Sequence, residues 1–141
     1  MSKANFTTAL EAEAAFYQAL AQGNVDALMA VWSEEEEVVC VHPGGPRIVG
    51  LAAVRETWRQ ILSNGNALKI DVSQAVVSAS AMMAMHCVFE RVGAEGQMQR
   101  GPTLAATNVY VRGPNGWRMV LHHASPLPAE QDGPDLPKIL H

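Results

Sequence analysis

The feature of this sequence that most restricts its fold is a change of hydrophobic period near residue 68. Before it, apolar side chains recur every three to four residues. From Leu68 they alternate, with Leu68, Ile70 and Val72 set against Lys69, Asp71 and Ser73. Three longer alternating runs follow, over 82–92, 103–112 and 117–125. They are separated by Gly93-Ala94-Glu95-Gly96 and Gly113-Pro114-Asn115-Gly116, whose composition suits hairpin connections. Helices first and an antiparallel meander second is the α+β arrangement.

The helical half is punctuated as clearly. Thr8 and Glu11 have capping-box spacing, which starts a helix whose stripe is read as Phe6, Leu10, Tyr17 and Leu20, with Phe16 on its flank and Gly23 as the left-handed stop. Asn24 caps a second, short helix carrying Leu28, Met29, Val31 and Trp32. The run Glu34 to Glu37 cannot be buried together and marks a solvated turn. Residues 38–42 read as a short strand ended by Pro43-Gly44-Gly45-Pro46, and 51–63 as a third helix with Val54, Trp58, Ile61 and Leu62 on one face, stopped by Asn64-Gly65. After Pro126 the chain is too rich in proline for helix or central strand, so a domain over 1–128 and a tail over 129–141 are expected.

Composition narrows the function. The chain has 141 residues, 48% of them hydrophobic and 17% charged, with a net charge of −4. That is one domain with a generous core, and it lacks the basic footprint of nucleic-acid binding. No apolar run approaches the length of a membrane span and the N-terminus carries acids, so a cytoplasmic protein is expected. Cys40 and Cys87 sit in apolar strand-like surroundings and read as buried, inert thiols rather than a disulfide.

The order of elements is accompanied by a series of short words: Gly23-Asn24-Val25-Asp26-Ala27-Leu28; Val41-His42-Pro43-Gly44-Gly45 followed by Val49-Gly50 and the Trp58 helix; Ala106-Thr107-Asn108-Val109-Tyr110; and Gly116-Trp117-Arg118-Met119 with His122-His123-Ala124-Ser125. In this order and spacing they resemble the nuclear transport factor 2-like superfamily, and within it the SnoaL-like, ketosteroid isomerase-like branch. The resemblance implies a cone in which a strongly curved antiparallel sheet wraps the first helix and encloses a pocket, and it implies a homodimer through the outer face of the sheet. It does not fix an activity, because the superfamily holds isomerases, cyclases, dehydratases, hydrolases and members that only bind or oligomerise.

Within that resemblance, Pro43 matches the proline that follows the catalytic aspartate of the isomerases, which puts His42 at the position of the base. An imidazole there can move a proton near neutral pH; equally, His42 can cap the strand end by hydrogen bonding to the adjacent turn. The isomerases' oxyanion-binding Tyr falls on Phe16, with Tyr17 one place away, and the later strands carry no Asp, so steroid isomerisation is not expected. His122 and His123 leave opposite faces of one strand. His123 shares its alternation with Trp117, Met119 and Leu121 and is assigned to the pocket; His122 is assigned outward. The candidate catalytic set is therefore His42, His123 and Tyr17, with Phe16, Trp32, Trp58, His86 and Asn108 as candidate pocket residues. The faces taken by His86, Thr107 and Asn108 stay open. No carboxylate stands beside the histidines in sequence, so neither a metal nor another cofactor is expected. The expected ligand is a small apolar or carbonyl-bearing molecule, and a non-catalytic binding or dimerisation module is the competing reading.

Overall fold

A computed structural model of the protein describes residues 5–63, 66–93 and 103–128. Among them the elements run α1 (Ala9–Gln22), α2 (Val25–Met29), β1 (Val39–Val41), β2 (Arg47–Val49), α3 (Leu51–Ile61), β3 (Lys69–Ala79), β4 (Met83–Gly93), β5 (Thr103–Gly113) and β6 (Gly116–Pro126). The helices pack on one face of a single curved sheet with strand order β2-β1-β6-β5-β4-β3. The Gly93–Gly96 connection, the Asn64-Gly65 stop and the proline-rich tail lie outside the described residues, apart from Gly93, the last residue of β4.

Local chemistry accounts for the helix ends. Thr8 Oγ1 accepts the Glu11 N–H at 3.1 Å, and Glu11 Oε1 accepts the Thr7 N–H at 2.8 Å, closing the capping box. Gly23 adopts φ 64° and ends α1, and Asn24 Oδ1 at once caps α2 by accepting the Ala27 N–H at 3.0 Å. The buried stripe of α1 is Ala9, Ala12, Glu13, Phe16, Ala19 and Leu20. Phe16 is thus at its centre rather than its flank, and Leu10 is 65% exposed. A stripe read from the large apolar residues alone misses small alanines and a glutamate that is buried because it is paired.

Two strand features differ from a plain meander. The chain after Gly45 returns as β2, antiparallel to β1, and β1 itself joins the sheet parallel to β6. The long strands bend at irregularities: Gln74 takes φ 54° where the β3–β4 register shifts, and β6 carries one extra residue, Val120, between the pairs Tyr110–Met119 and Val109–Leu121. Such bulges sharpen twist and let a sheet curl around a helix. Gly116 is the sharpest steric requirement: at φ 90°, a Cβ there would lie 2.6 Å from the Phe6 carbonyl oxygen, which accepts the Trp117 N–H.

The core joins Phe16, Leu20, Leu28, Val31, Trp32, Val54, Trp58, Tyr110 and Met119 between the helices and the inner sheet face. The outer face is different. Val76, Met83 and Met85 are exposed there on β3 and β4, whereas Val72 and Val77, paired with Glu90 and His86, are exposed on the other side of β3, which is an edge strand. Cys40 is buried and Cys87 half-buried, both free thiols. No helix among the described residues is long and apolar enough to cross a membrane.

Candidate functional site

A cavity of about 270 Å³ opens between α1, α3 and the inner face of the sheet. Leu20, Trp58, Leu68, Ile70 and Leu104 supply much of its apolar wall, and its polar lining residues are His42, Glu90 and His122. A wider depression of about 490 Å³ between α2 and α3 is open to solvent; Asp26, Glu34 and Arg55 are its charged residues, and Asp26 and Arg55 pair with each other.

His42 follows β1 directly. Its carbonyl accepts the Gly45 N–H at 2.8 Å and Gly44 adopts φ 72°, the geometry of a turn with Pro at its second position and Gly at its third. The backbone, not the imidazole, closes this turn. The ring is carried to α3, where Nε2 lies 3.1 Å from Thr57 Oγ1 and the ring stands edge-on to Trp58 at 4.6 Å. Thr57 spends its only hydroxyl proton on the Val54 carbonyl, 2.9 Å away. Its oxygen then accepts from His42 Nε2, which also lies 3.7 Å from Cys40 Sγ, and in this tautomer Nδ1 keeps the lone pair. Burial lowers the His42 pKa, which holds the ring neutral at pH 7.

The pocket histidine of β6 is His122, not His123. His122 is 3% exposed and lines the cavity, whereas His123 faces solvent. The cause is Val120: strict alternation from Met119 would put Leu121 and His123 inside, and one bulged residue reverses the phase, so His122 and Ala124 turn inward.

Behind the cavity, Asn108 organises a buried network. Its Nδ2 donates both hydrogens, to Glu13 Oε2 at 3.1 Å and to the Tyr17 hydroxyl at 2.9 Å; its Oδ1 is 2.7 Å from His122 Nδ1. With the amide fixed that way, His122 Nδ1 carries the proton and Nε2 the lone pair. Tyr17 donates in turn to Glu90 Oε2 at 2.5 Å, and Tyr110 donates to Glu13 Oε2 at 3.0 Å. His86 Nδ1 stands 3.1 Å from Glu13 Oε1. Burial pushes the Glu90 carboxyl up to about 6, with the Tyr17 hydrogen bond opposing and the Glu13 charge adding. Burial holds His122 down at about 3, and the same cause keeps Tyr17 and Tyr110 protonated and pushes the Cys40 thiol up to about 12.

Of the candidates read from sequence, the structure brings His42 and Trp58 to the cavity wall. Phe16 backs them, 5.8 Å from Trp58 and 5.0 Å from His122 between ring centroids. Tyr17 reaches the cavity only through Glu90. Asn108 and His86 face inward but lie in the network behind it, and Thr107 is half-buried on the opposite face. Trp32 is buried elsewhere, bridged to Met119, and is absent from the cavity lining. Glu90 and Glu13 escaped the sequence reading although a signal existed. Glu90 is one alternation beyond Ala84, His86 and Val88, and Glu13 continues the Ala9–Phe16–Leu20 spacing. Among the described residues no group of three or more His, Cys, Asp or Glu is arranged to hold a metal ion.

Residues 10–130 match a family profile described as a SnoaL-like domain. No functionally curated protein matches the chain. Among solved structures, a candidate calcium/calmodulin-dependent protein kinase type II association domain from Thiobacillus denitrificans is 38% identical, with 89% of this chain and 99% of that one covered and a TM-score of 0.78. A candidate dehydratase of the NTF2-like family from Streptomyces avermitilis is 31% identical over 84% of this chain and 92% of its own, at a TM-score of 0.75. A candidate ketosteroid isomerase from Parabacteroides distasonis, 18% identical over 91% and 98%, shares the fold at a TM-score of 0.69. The curved sheet wrapped on α1, the cavity at the end of β1 and these similarities agree: the chain belongs to the SnoaL-like family of the nuclear transport factor 2-like superfamily.

Proposed function

We propose that the cone binds a small, mainly apolar molecule and that His42 Nδ1 takes a proton from it, in a reaction that runs on side chains alone. The observation that carries this reading is the state of His42. Its ring is neutral, its N–H is committed to Thr57, and its lone-pair nitrogen belongs to a residue lining a mainly apolar cavity. Glu90, with a pKa of about 6, is a second group of the same cavity that can exchange a proton, and two such groups in one enclosure suit isomerase, lyase or hydrolase chemistry. The dehydratase and isomerase descriptions of the similar structures are of that type. Tyr17 acts through Glu90, and His122 takes the part that alternation gave to His123.

Imidazole resonances followed by NMR while benzyl alcohol is added test the reading. The His42 and His122 signals should move and the His42 pKa should change, while His123 stays still. If His123 alone responds, or no histidine does, the cavity is not the ligand site.

A second reading is favoured by one specific observation. Val76 is 65% exposed on an open edge strand, on the same face as exposed Met83 and Met85, an apolar surface that a second copy of the chain would cover. We propose a homodimer through this face, in line with the association-domain description of the 38% identical structure. Sedimentation of the intact chain should give the mass of a dimer, and Met83→Glu should give a monomer.

A further inference from the structure

We infer that the cavity selects a ligand bearing an amine on a compact apolar body, with the ammonium group held against Glu90. This rests on the reading of the cavity as a ligand site and names the chemistry it accepts.

Acceptors outnumber donors on the cavity wall. His42 has spent its N–H on Thr57, and His122 has spent its N–H on Asn108, so each offers a lone pair. Glu90 accepts from Tyr17 on Oε2, which leaves Oε1 as a further acceptor. The Trp58 indole N–H is buried without a hydrogen bond of normal geometry and lies close enough to the Cys40 sulfur to act on its thiol. The remaining lining residues are apolar, and no Lys or Arg is among the described residues of the wall. Apart from the Trp58 N–H, a ketone would thus meet acceptors with its own acceptor, and a carboxylate or phosphate would enter beside Glu90 with no cation to receive it. Buried polar groups left unmatched carry a cost of about 1–3 kcal/mol each, more when charged. An ammonium group supplies both the N–H donors and the charge that this wall lacks. The size is also restrictive, since about 270 Å³ suits a single ring with a short arm.

The pH behaviour follows from the groups around Glu90. Tyr17 and Glu13 act on it from α1, Cys40 from β1 and Tyr110 from β5, and His42 and His122 line the same cavity. Tyr17 and Cys40 stay protonated and His122 stays neutral in the range where Glu90 ionises. Amine affinity therefore rises as pH passes upward through about 6. Protonation of His42 on the acid side acts in the same direction, and a Glu90 variant separates the two.

The experiment is calorimetric titration of the intact chain with benzylamine, benzyl alcohol and benzoate, at about pH 7.5 and about pH 5. Benzylamine should bind at least about tenfold more tightly than benzyl alcohol at the higher pH and lose most of that margin at the lower, and benzoate should bind most weakly. Glu90→Gln should bring amine and alcohol within about threefold of each other. Equal or better binding of alcohol or benzoate by the wild type, or an amine preference that survives Glu90→Gln, overturns the inference while the cavity reading stands. Binding of none of the three overturns both. Should Glu90→Gln not fold, the pH arm on the wild type decides: an amine preference unchanged between the two pH values overturns the inference.

Discussion

The two ends of the cone's interior are built from similar residues and behave differently. At the closed end, Glu13, Asn108, Tyr110 and Tyr17 form a network in which Asn108 uses both amide hydrogens and its oxygen, and Glu13 accepts from two donors. At the open end, His42, Glu90 and His122 each keep an acceptor in excess of their partners. Burial alone does not make a polar group functional. A buried group whose hydrogen-bonding capacity is used up specifies the fold, and one with capacity to spare next to a cavity is available to a ligand.

The strongest way to break this contrast is to treat the ends alike. Glu13→Ala leaves one Asn108 amide hydrogen and the Tyr110 hydroxyl without their acceptor and should cost about 3–5 kcal/mol of stability, read from urea denaturation. Glu90→Gln, which keeps an acceptor for Tyr17, should cost less than half as much and act on ligand binding instead. If the two losses are equal, the ends are not distinct.

Tyr17→Phe, on the boundary between them, removes a hydrogen bond to a charged group and should cost about 1.5–3 kcal/mol. Because that bond lowers the Glu90 pKa, the variant should also raise it above its value of about 6, visible in carboxyl carbon NMR titration.

Acid sharpens the comparison with opposite signs. His122 has a folded pKa of about 3, below its ordinary 6.5, so the unfolded chain binds its proton first. The stability this group contributes is complete above about 6.5 and is lost as pH falls from there toward 3. Glu90 is raised from 4.5 to about 6, so its contribution is complete below about 4.5 and is lost as pH rises through 6. Denaturation midpoints should therefore fall less steeply between pH 6 and 4.5 in the wild type than in Glu90→Gln.

The smallest expected effect concerns neighbours in sequence. His123→Ala should change stability by no more than about 0.5 kcal/mol, as for an exposed surface residue. His122→Ala should free the Asn108 oxygen and cost about 2 kcal/mol.

That pair also shows how far the sequence carries. His122 and His123 are indistinguishable by composition, and period-two alternation chooses the wrong one, because a bulge at Val120 leaves no mark in an alternating apolar run. His42 is different. The Pro43-Gly44-Gly45 turn fixes where β1 ends, and the family resemblance gives the position weight, so the residue was readable before its partner Thr57 was. Glu13 and Glu90 were hidden by a sound rule, that carboxylates stay outside, which yields only where tertiary partners supply enough donors.

By itself the sequence determined the order of helices and strands, the caps at Thr8 and Asn24, the stop at Gly23 and the family, because these depend on period, turn chemistry and spacing along the chain. Only the tertiary structure decided which face each β6 residue takes, which nitrogen of His42 and His122 keeps its lone pair, and that two glutamates lie inside. Those outcomes depend on register and on hydrogen-bond partners up to 97 positions apart in the chain, as between Tyr110 and Glu13, and no local pattern encodes a pairing over that distance.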